Sequence, residues 1–425
     1  MSNLDKWCPL PWSHIAVKSN GHLRLCSHSQ SGGNKKTVLT QNEKILTIDD
    51  LKFDISNCET LKEVRAKFLN NEWPEQCRRC RIESEAGKRS RNQWESTMYD
   101  FTKEDARAIT APDGTVSEYR ILSLDLRLGN KCNVQCVMCY PGESNQWYKI
   151  QEKVTGKRIF SIDDVSYSID DTKVFDWANQ KEYYELVAKH SMFVKKIKFG
   201  GGEPFLVKEH VALLEALISN GFANDIELEY SINVTVLPDY IFNLFSNFKI
   251  VKLCASVDGT ADVNHAIRYP TPWKVVEKNL DILDSTPANI TVFTSTTVSI
   301  LNLENIVDWM LWLKNKNFKK INKDTFAGVV SHPVMNPKYL NIGLLSEDQR
   351  NRMFVYLRSK TTDTEILSKL NQWELYANKM PITVDEIIQG RKDLKDFFFK
   401  MSSLQNINWK EVFPKCYEMM LEWKE

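Results

Sequence analysis

Three cysteines, Cys132, Cys136 and Cys139, fall in the run Gly129-Asn-Lys-Cys-Asn-Val-Gln-Cys-Val-Met-Cys139. Cysteine sulfur is the usual ligand of iron–sulfur clusters, and three thiolates spaced this closely on a loop suffice for three irons of a [4Fe–4S] cube. The fourth iron is then open to a small molecule that offers oxygen and nitrogen, and can pass it an electron. The other reading of the same residues is a partial zinc site or three separate buried thiols. Zinc asks for four ligands, most often as two Cys-x2-Cys knuckles, and the nearest remaining cysteine in sequence is Cys80.

The spacing Cys-x3-Cys-x2-Cys resembles the signature of the radical S-adenosylmethionine (SAM) superfamily. A second segment supports the resemblance. Phe199-Gly-Gly-Gly-Glu203-Pro204 follows the strand-like run Phe193-Val-Lys-Lys-Ile-Lys198 and feeds the amphipathic stretch Leu206–Leu217. Gly201, Gly202 and Glu203 look like the superfamily's Gly-Gly-Glu motif, which the family also places about sixty residues after the cysteines, behind the next strand. Alone, three glycines would mark no more than a tight turn.

A second group, Cys8, Cys26, Cys77 and Cys80, lies toward the N-terminus. Trp7-Cys8-Pro-Leu-Pro-Trp12 opens it, and Ile15–Val17 with Gly21–Cys26 reads as a hairpin about Ser19-Asn-Gly21. Trp73-Pro-Glu-Gln-Cys77-Arg-Arg-Cys80 closes it with a knuckle. Four thiolates so arranged can enclose one metal centre, either an iron–sulfur cluster or a structural zinc, which share this ligand set. The pattern resembles the SPASM and twitch modules that hold auxiliary clusters beside a radical SAM core, and the resemblance implies an auxiliary [4Fe–4S] cluster here. Position 86 is Ala86 and no cysteine follows Cys80 at the offsets of the longer SPASM pattern, which leaves one cluster and the shorter, twitch-like form. The module also precedes the core, whereas the family more often has it follow. His14, His22 and His28 lie nearby and can replace a thiol, although surface or hairpin positions are the simpler account of them.

Composition sets outer limits. The chain has 425 residues, 42% hydrophobic and 26% charged, with a formal net charge of +1. These values suit a globular protein of two or three domains and give no electrostatic argument for a nucleic-acid or membrane partner. No stretch approaches the roughly 18 apolar residues of a membrane span, and Met1-Ser-Asn-Leu-Asp lacks the regions of a signal peptide. The expectation is a cytoplasmic protein, where thiols stay reduced and ten cysteines are metal ligands and core residues rather than disulfides.

The middle of the chain alternates strands and helices. Strands are expected at Ile121–Leu128, Lys195–Phe199, Ile226–Asn233, Ile250–Val257, Ile290–Ser299 and Thr325–Val330, with helices at Glu143–Lys153, Leu206–Ser219, Pro238–Leu244, Trp273–Leu283 and Leu303–Lys314. Such alternation predicts an α/β fold with a parallel sheet built from right-handed crossovers. Six strands fit the partial (β/α)6 barrel of the resembled superfamily, joined to a small N-terminal Cys-rich module and a helical C-terminal section. The corresponding boundaries are 1–90, a connector at 91–117, the barrel at 118–332 and the helical section at 333–425. Parallel barrels collect their chemistry at the C-terminal strand ends, where both the cysteine loop and the Gly-Gly-Glu loop are expected.

Strand parity nominates further residues. Cys254, Ser256 and Asp258 share one face, opposite Leu253, Ala255 and Val257. The Ser256-Val-Asp-Gly259 segment and Arg268 resemble a family element that contacts bound SAM, and Asn233 resembles the polar end of the third barrel strand, without the glycine often found next. Asp125 and Arg127 share a face of the first strand. Met138 stands where many relatives carry an aromatic residue and can pack against the adenine. For each polar residue the alternative is backbone satisfaction or helix capping, and Asp258 is the one weak candidate for a catalytic group. Cys58, Cys254 and Cys416 have no partner at useful spacing, and Lys88–Arg91 is a basic stretch more simply explained as a solvated helix.

The resemblance implies a mechanism. Cys132, Cys136 and Cys139 hold a [4Fe–4S] cluster that binds SAM through its open iron. The Gly201–Glu203 loop holds the SAM amino group, and Asn233 or Ser256 touches its ribose or carboxylate. A reductant such as flavodoxin or ferredoxin loads the cluster, SAM splits to methionine and a 5′-deoxyadenosyl radical, and the radical takes hydrogen from a substrate. The substrate expected is a peptide or protein side chain; the alternatives are a small metabolite, sugar or nucleotide, or a non-catalytic scaffold that keeps its clusters.

Overall fold

The strand Glu227–Ile232 reads Glu-Leu-Glu-Tyr-Ser-Ile, and its apolar members Leu228, Tyr230 and Ile232 are all buried while the residues between them are half-exposed. That two-residue period recurs in Ile250–Ser256 and Ile290–Val298 and seats one face of each strand in the core. The computed structural model describes residues 6–29, 37–85, 90–97, 99–322, 329–379 and 382–423. Within them the fold is α/β, with a mostly parallel sheet and a helical C-terminal region, as a partial barrel requires.

The chain forms two compact units. The first comprises residues 1–131, 159–230 and 239–251, the second residues 132–158, 231–238 and 252–425. In the first unit, Ser123–Arg127 pairs in parallel with Lys196–Gly200, and Lys196–Phe199 pairs in parallel with Glu227–Tyr230. On its other side Ser123–Leu126 pairs in parallel with His14–Val17, which turns through an antiparallel hairpin to Leu23–Arg24. The N-terminal hairpin is thus a continuation of the sheet. Residues 91–117 are likewise fastened down: they carry helices Arg91–Glu95 and Lys103–Ile109, Asn92 donates to the Trp7 carbonyl at 3.0 Å, and Trp12 donates to Thr110 at 2.8 Å.

Arg65, on helix Glu59–Leu69, is fully buried in this unit. Its guanidinium donates to the carbonyls of Pro11 at 2.9 Å, Ser56 at 2.7 Å and Gly114 at 3.4 Å, and lies over the rings of Trp12 and Tyr119. One planar fork therefore ties the short helix Leu10–Ser13 and two loops to this helix.

In the second unit, Ile290–Val298 lies beside Ile250–Ser256, and its Ser295–Val298 segment pairs in parallel with Val330–Pro333. Residues 323–328, where most of the last expected strand falls, lie outside the described residues, as do Ala86, Lys88 and Arg89. The C-terminal helices begin where side chains cap them. Ser346 and Gln349 form a reciprocal cap on Glu347–Ser359, Asp363 accepts two backbone N–H groups of Thr364–Asn378, and Thr383 with Glu386 caps Val384–Gln405. Gln405 then donates to the Ala266 carbonyl at 2.9 Å and Lys400 to that of Val154 at 3.1 Å, which packs this section on helices Ala261–Ile267 and Gln151–Thr155.

Candidate active site

The three-cysteine loop belongs to the second unit and is fastened along its backbone. Gln135–Cys136 forms a short antiparallel bridge with Arg268–Tyr269, and Val137 N donates to the Ile267 carbonyl at 2.8 Å. Asn145 accepts from Cys132 N at 3.1 Å, Gln146 donates to the Cys132 carbonyl at 2.9 Å, and the Trp147 indole donates to that of Cys136 at 3.0 Å. These bonds explain why the expected helix Glu143–Lys153 is instead a 3-10 turn at Asn145–Lys149 followed by the short helix Gln151–Thr155: its first residues are spent holding the loop. Cys132, Val134 and Cys136 are buried as one cluster, with Met138 and Cys139 packed against it.

Two polar side chains turn toward these sulfurs. Arg268 Nη1 lies 3.8 Å from Cys136 Sγ, while its Nε forms an ion pair with Asp258 at 2.7 Å. Burial opposes the guanidinium charge, but Asp258 and the Cys136 sulfur outweigh it and hold Arg268 charged. Asp258 also accepts from Thr297 N at 2.7 Å. Asn233 donates to Asn133 at 2.8 Å and reaches Cys132 Sγ at 3.9 Å, with its own oxygen taking Thr235 N at 3.0 Å. The next residue, Val234, stands at φ 63°, a backbone region that costs a β-branched residue on the order of 1–3 kcal/mol, and Asn279 pins its carbonyl at 2.8 Å. Ser256 ends its strand half-exposed. Cys139 donates to Cys136, which lowers the Cys136 pKa; the same bond, together with burial, raises that of Cys139.

The Gly-Gly-Glu loop belongs to the first unit. Gly202 N donates to the Gly129 carbonyl at 3.1 Å and Glu203 N to that of Lys131 at 2.8 Å, the residue before Cys132. Glycine is needed for this approach. Gly201 stands at φ 112°, and a Cβ on Gly202 would lie 2.3 Å from the Lys131 carbonyl oxygen. Glu203 is buried and accepts from Phe205 N at 3.3 Å. Asp125, also in this unit, is buried beside Arg127 at 3.5 Å and Arg91 at 4.0 Å; burial works against its charge, but those cations keep it below the usual carboxylate range.

Cys8, Cys26, Cys77 and Cys80 all line one cavity of the first unit, together with His28, Gln76 and Arg91. Burial, and then repulsion from Cys26, raises the thiols of Cys8 and Cys77 well above the ordinary value and that of Cys80 to about 11. Four mutually repelling sulfurs about one space suit a cation or a cluster that neutralises them. Burial, with Arg79 and Arg91 adding to it, pushes His28 down to about 3. Of the three histidines near this group in sequence, His28 is the one that lines the cavity; that Arg91 does so as well depends on long-range packing that the sequence does not show.

The donor sets fit the groups expected of them. The first is three thiol side chains beside a cation and an amide, the second four thiols about a cavity. Residues 126–320 match the model of the Radical SAM superfamily. No curated protein matches the chain. Among solved structures, native anSMEcpe with bound AdoMet is similar at 15% identity and a TM-score of 0.38, over 68% of this chain and 62% of that one. Streptococcus suis SuiB bound to precursor peptide SuiA is similar at 12% and 0.31, over 60% and 54%. TYW1 with a lysine–pyruvate adduct bound is similar at 15% and 0.30, over 56% and 72%. The chain spans about three fifths of the length of the anSMEcpe structures. At this level the likenesses carry no information on substrate.

Proposed function

From a radical SAM superfamily domain in the chain, and the enzyme class that goes with it, we propose a protein that cleaves SAM reductively and abstracts hydrogen from a peptide or protein side chain. The observation that carries the reading is the single fastened loop holding Cys132, Cys136 and Cys139, with Arg268 and Asn233 turned toward its sulfurs.

Cys132, Cys136 and Cys139 would hold a [4Fe–4S] cluster, which when bound would supply the electron for reductive cleavage of SAM. The chain's residues set the stage. Arg268 offsets thiolate charge at Cys136, and Asp258 fixes its orientation. Asn233 orients the first cysteine. Gly201 and Gly202 let the backbone approach, so that Glu203 can take the SAM amino group, while Ser256 and Met138 serve its ribose and adenine. Cys8, Cys26, Cys77 and Cys80 hold an auxiliary [4Fe–4S] cluster. A flavodoxin or ferredoxin supplies electrons, and the protein works in the cytoplasm; no helix among the described residues is long and apolar enough to cross a membrane.

The peptide preference rests on the twitch-like pattern of the N-terminal cysteines alone. The test is anaerobic incubation of the reconstituted protein with SAM and dithionite, with 5′-deoxyadenosine as readout. Cys132→Ala should abolish product and Cys77→Ala should leave the first cluster intact. Product from Cys132→Ala would overturn the assignment. Deuterium transfer into 5′-deoxyadenosine from a labelled peptide, against labelled metabolite, sugar and nucleotide pools, decides the substrate class.

A further inference from the structure

A second donor set shares His28 and Cys80 with the cavity lined by the four N-terminal cysteines. Helix Arg78–Glu85 places Cys80 and Glu83 three residues apart, on one face. His28, from the loop after the hairpin, reaches the same place: one ligand atom from each of His28, Cys80 and Glu83 lies within 4.8 Å of the other two. Among the described residues this is the one such trio of His, Cys, Asp or Glu, and the four cysteine sulfurs do not furnish another. A tetrahedral zinc with sulfur ligands at 2.3 Å would bring those sulfurs to about 3.8 Å from one another.

The trio has features that ordinary packing does not require. His28 Nδ1 is buried with no hydrogen-bond partner. Cys80 is buried at 8% exposure. Glu83 takes Arg79 Nε at 3.0 Å on one oxygen, leaving the other for a ligand. Imidazole nitrogen, thiolate sulfur and carboxylate oxygen together are the mixed set that zinc accepts and that magnesium or calcium does not.

We propose that His28, Cys80 and Glu83 form a mononuclear site for a zinc-class divalent cation, exclusive of the four-cysteine centre because both require Cys80. Zinc has no redox chemistry, so the metal held at Cys80 decides whether the module can carry electrons. The zinc site does not depend on the radical SAM reading; only the count of eight irons in the second experiment below rests on it.

The first experiment titrates zinc, against a chromophoric chelator, into the full chain with Cys132, Cys136 and Cys139 replaced by serine, so that the cluster loop holds none. His28→Ala and Glu83→Gln in that background should each weaken zinc by at least the 10–100-fold typical of outer-shell losses, whereas Cys8→Ser and Cys26→Ser leave it unchanged. Equal losses in Cys8→Ser or Cys26→Ser would mean a four-thiolate ion and overturn the proposal, as would zinc binding indifferent to His28 and Glu83. A second experiment needs no variant. Iron and sulfide reconstitution of the natural chain should give about eight irons, and zinc added beforehand should replace about four of them with one zinc per chain. About eight irons together with one zinc would show that the two occupants coexist, and exclusivity would fall.

Discussion

Arg268 Nε stands 2.7 Å from Asp258 Oδ2, and Nη1 of the same guanidinium stands 3.8 Å from Cys136 Sγ. A buried carboxylate thus aims a buried cation at the Cys136 sulfur, the arrangement by which outer partners would orient and tune a cysteine that holds a metal. Arg268→Gln should leave the iron content unchanged and lower the reduction potential of the first cluster by tens of millivolts, a one-electron couple moving about 59 mV per tenfold change. Potentiometry followed by EPR reads this. Arg268→Lys, which keeps the charge, should recover part of the shift, and an unchanged potential in both variants would show that the guanidinium only packs.

Gly202 has no room for a methyl group, since its Cβ would lie 2.3 Å from the Lys131 carbonyl oxygen. Gly202→Ala must move the Gly-Gly-Glu loop off residues 129–131. SAM affinity by equilibrium dialysis should fall at least tenfold, about 1.4 kcal/mol, while iron retained by Cys132, Cys136 and Cys139 stays near the natural level. Natural affinity in the variant would mean that the loop does not hold SAM.

Arg65 carries three backbone carbonyls on one guanidinium. Arg65→Met keeps the bulk but strands those acceptors, at about 1–3 kcal/mol for each that water cannot reach. The urea midpoint should fall by an amount equivalent to about 3 kcal/mol or more, with the fluorescence of the tryptophans near Cys8 changing first. A variant within about 0.5 kcal/mol of the natural chain would show that the loops hold without the clamp.

Glu304 is buried, and burial raises its pKa to about 7 even though it accepts Lys415 N at 3.0 Å. The folded state therefore favours the protonated carboxyl more than the unfolded chain does. Its contribution to stability is full below the unfolded value of about 4.5 and is lost as pH rises through about 7, a change on the order of 3 kcal/mol. Denaturant midpoints taken across that window should decline for the natural chain and flatten for Glu304→Gln. Parallel curves would remove Glu304 as the cause.

Much of this was legible in the order of residues because the signals are local. The strand period of two survives in Glu227–Ile232 and Ile250–Ser256, and helix Trp273–Asp284 begins where its periodicity places it and ends one residue later. The cysteine spacing is local as well. What escaped was the product of distant pairing. Ile15–Val17 reads as half of a free hairpin, yet it adds to the sheet beside Ser123–Leu126, a register that no short-range pattern encodes. Residues 91–117, read as a connector, make contacts that no short-range pattern encodes, such as that of Asn92 with Trp7, 85 positions away. Leu206–Ser219 reads as one helix, but Pro204 and two 3-10 turns delay the regular helix to Val211–Ser219. Asn233 was legible as a polar strand end, but the positive φ of Val234 that turns the chain beside it leaves no mark in a valine.

The parallel seam between His14–Val17 and Ser123–Leu126 gives the N-terminal segment and the strand at Ser123–Arg127 a common fate. A chain trimmed to begin at residue 91 would lose a neighbour, not an appendage. Ser123–Arg127, normally interior, would become a raw border with unmet N–H and C=O groups, inviting other chains to dock along it. Such a fragment should aggregate before its cysteine loop can be assayed. Exchange of the N-terminal segment between proteins would succeed only where the donor brings a strand of matching length and direction.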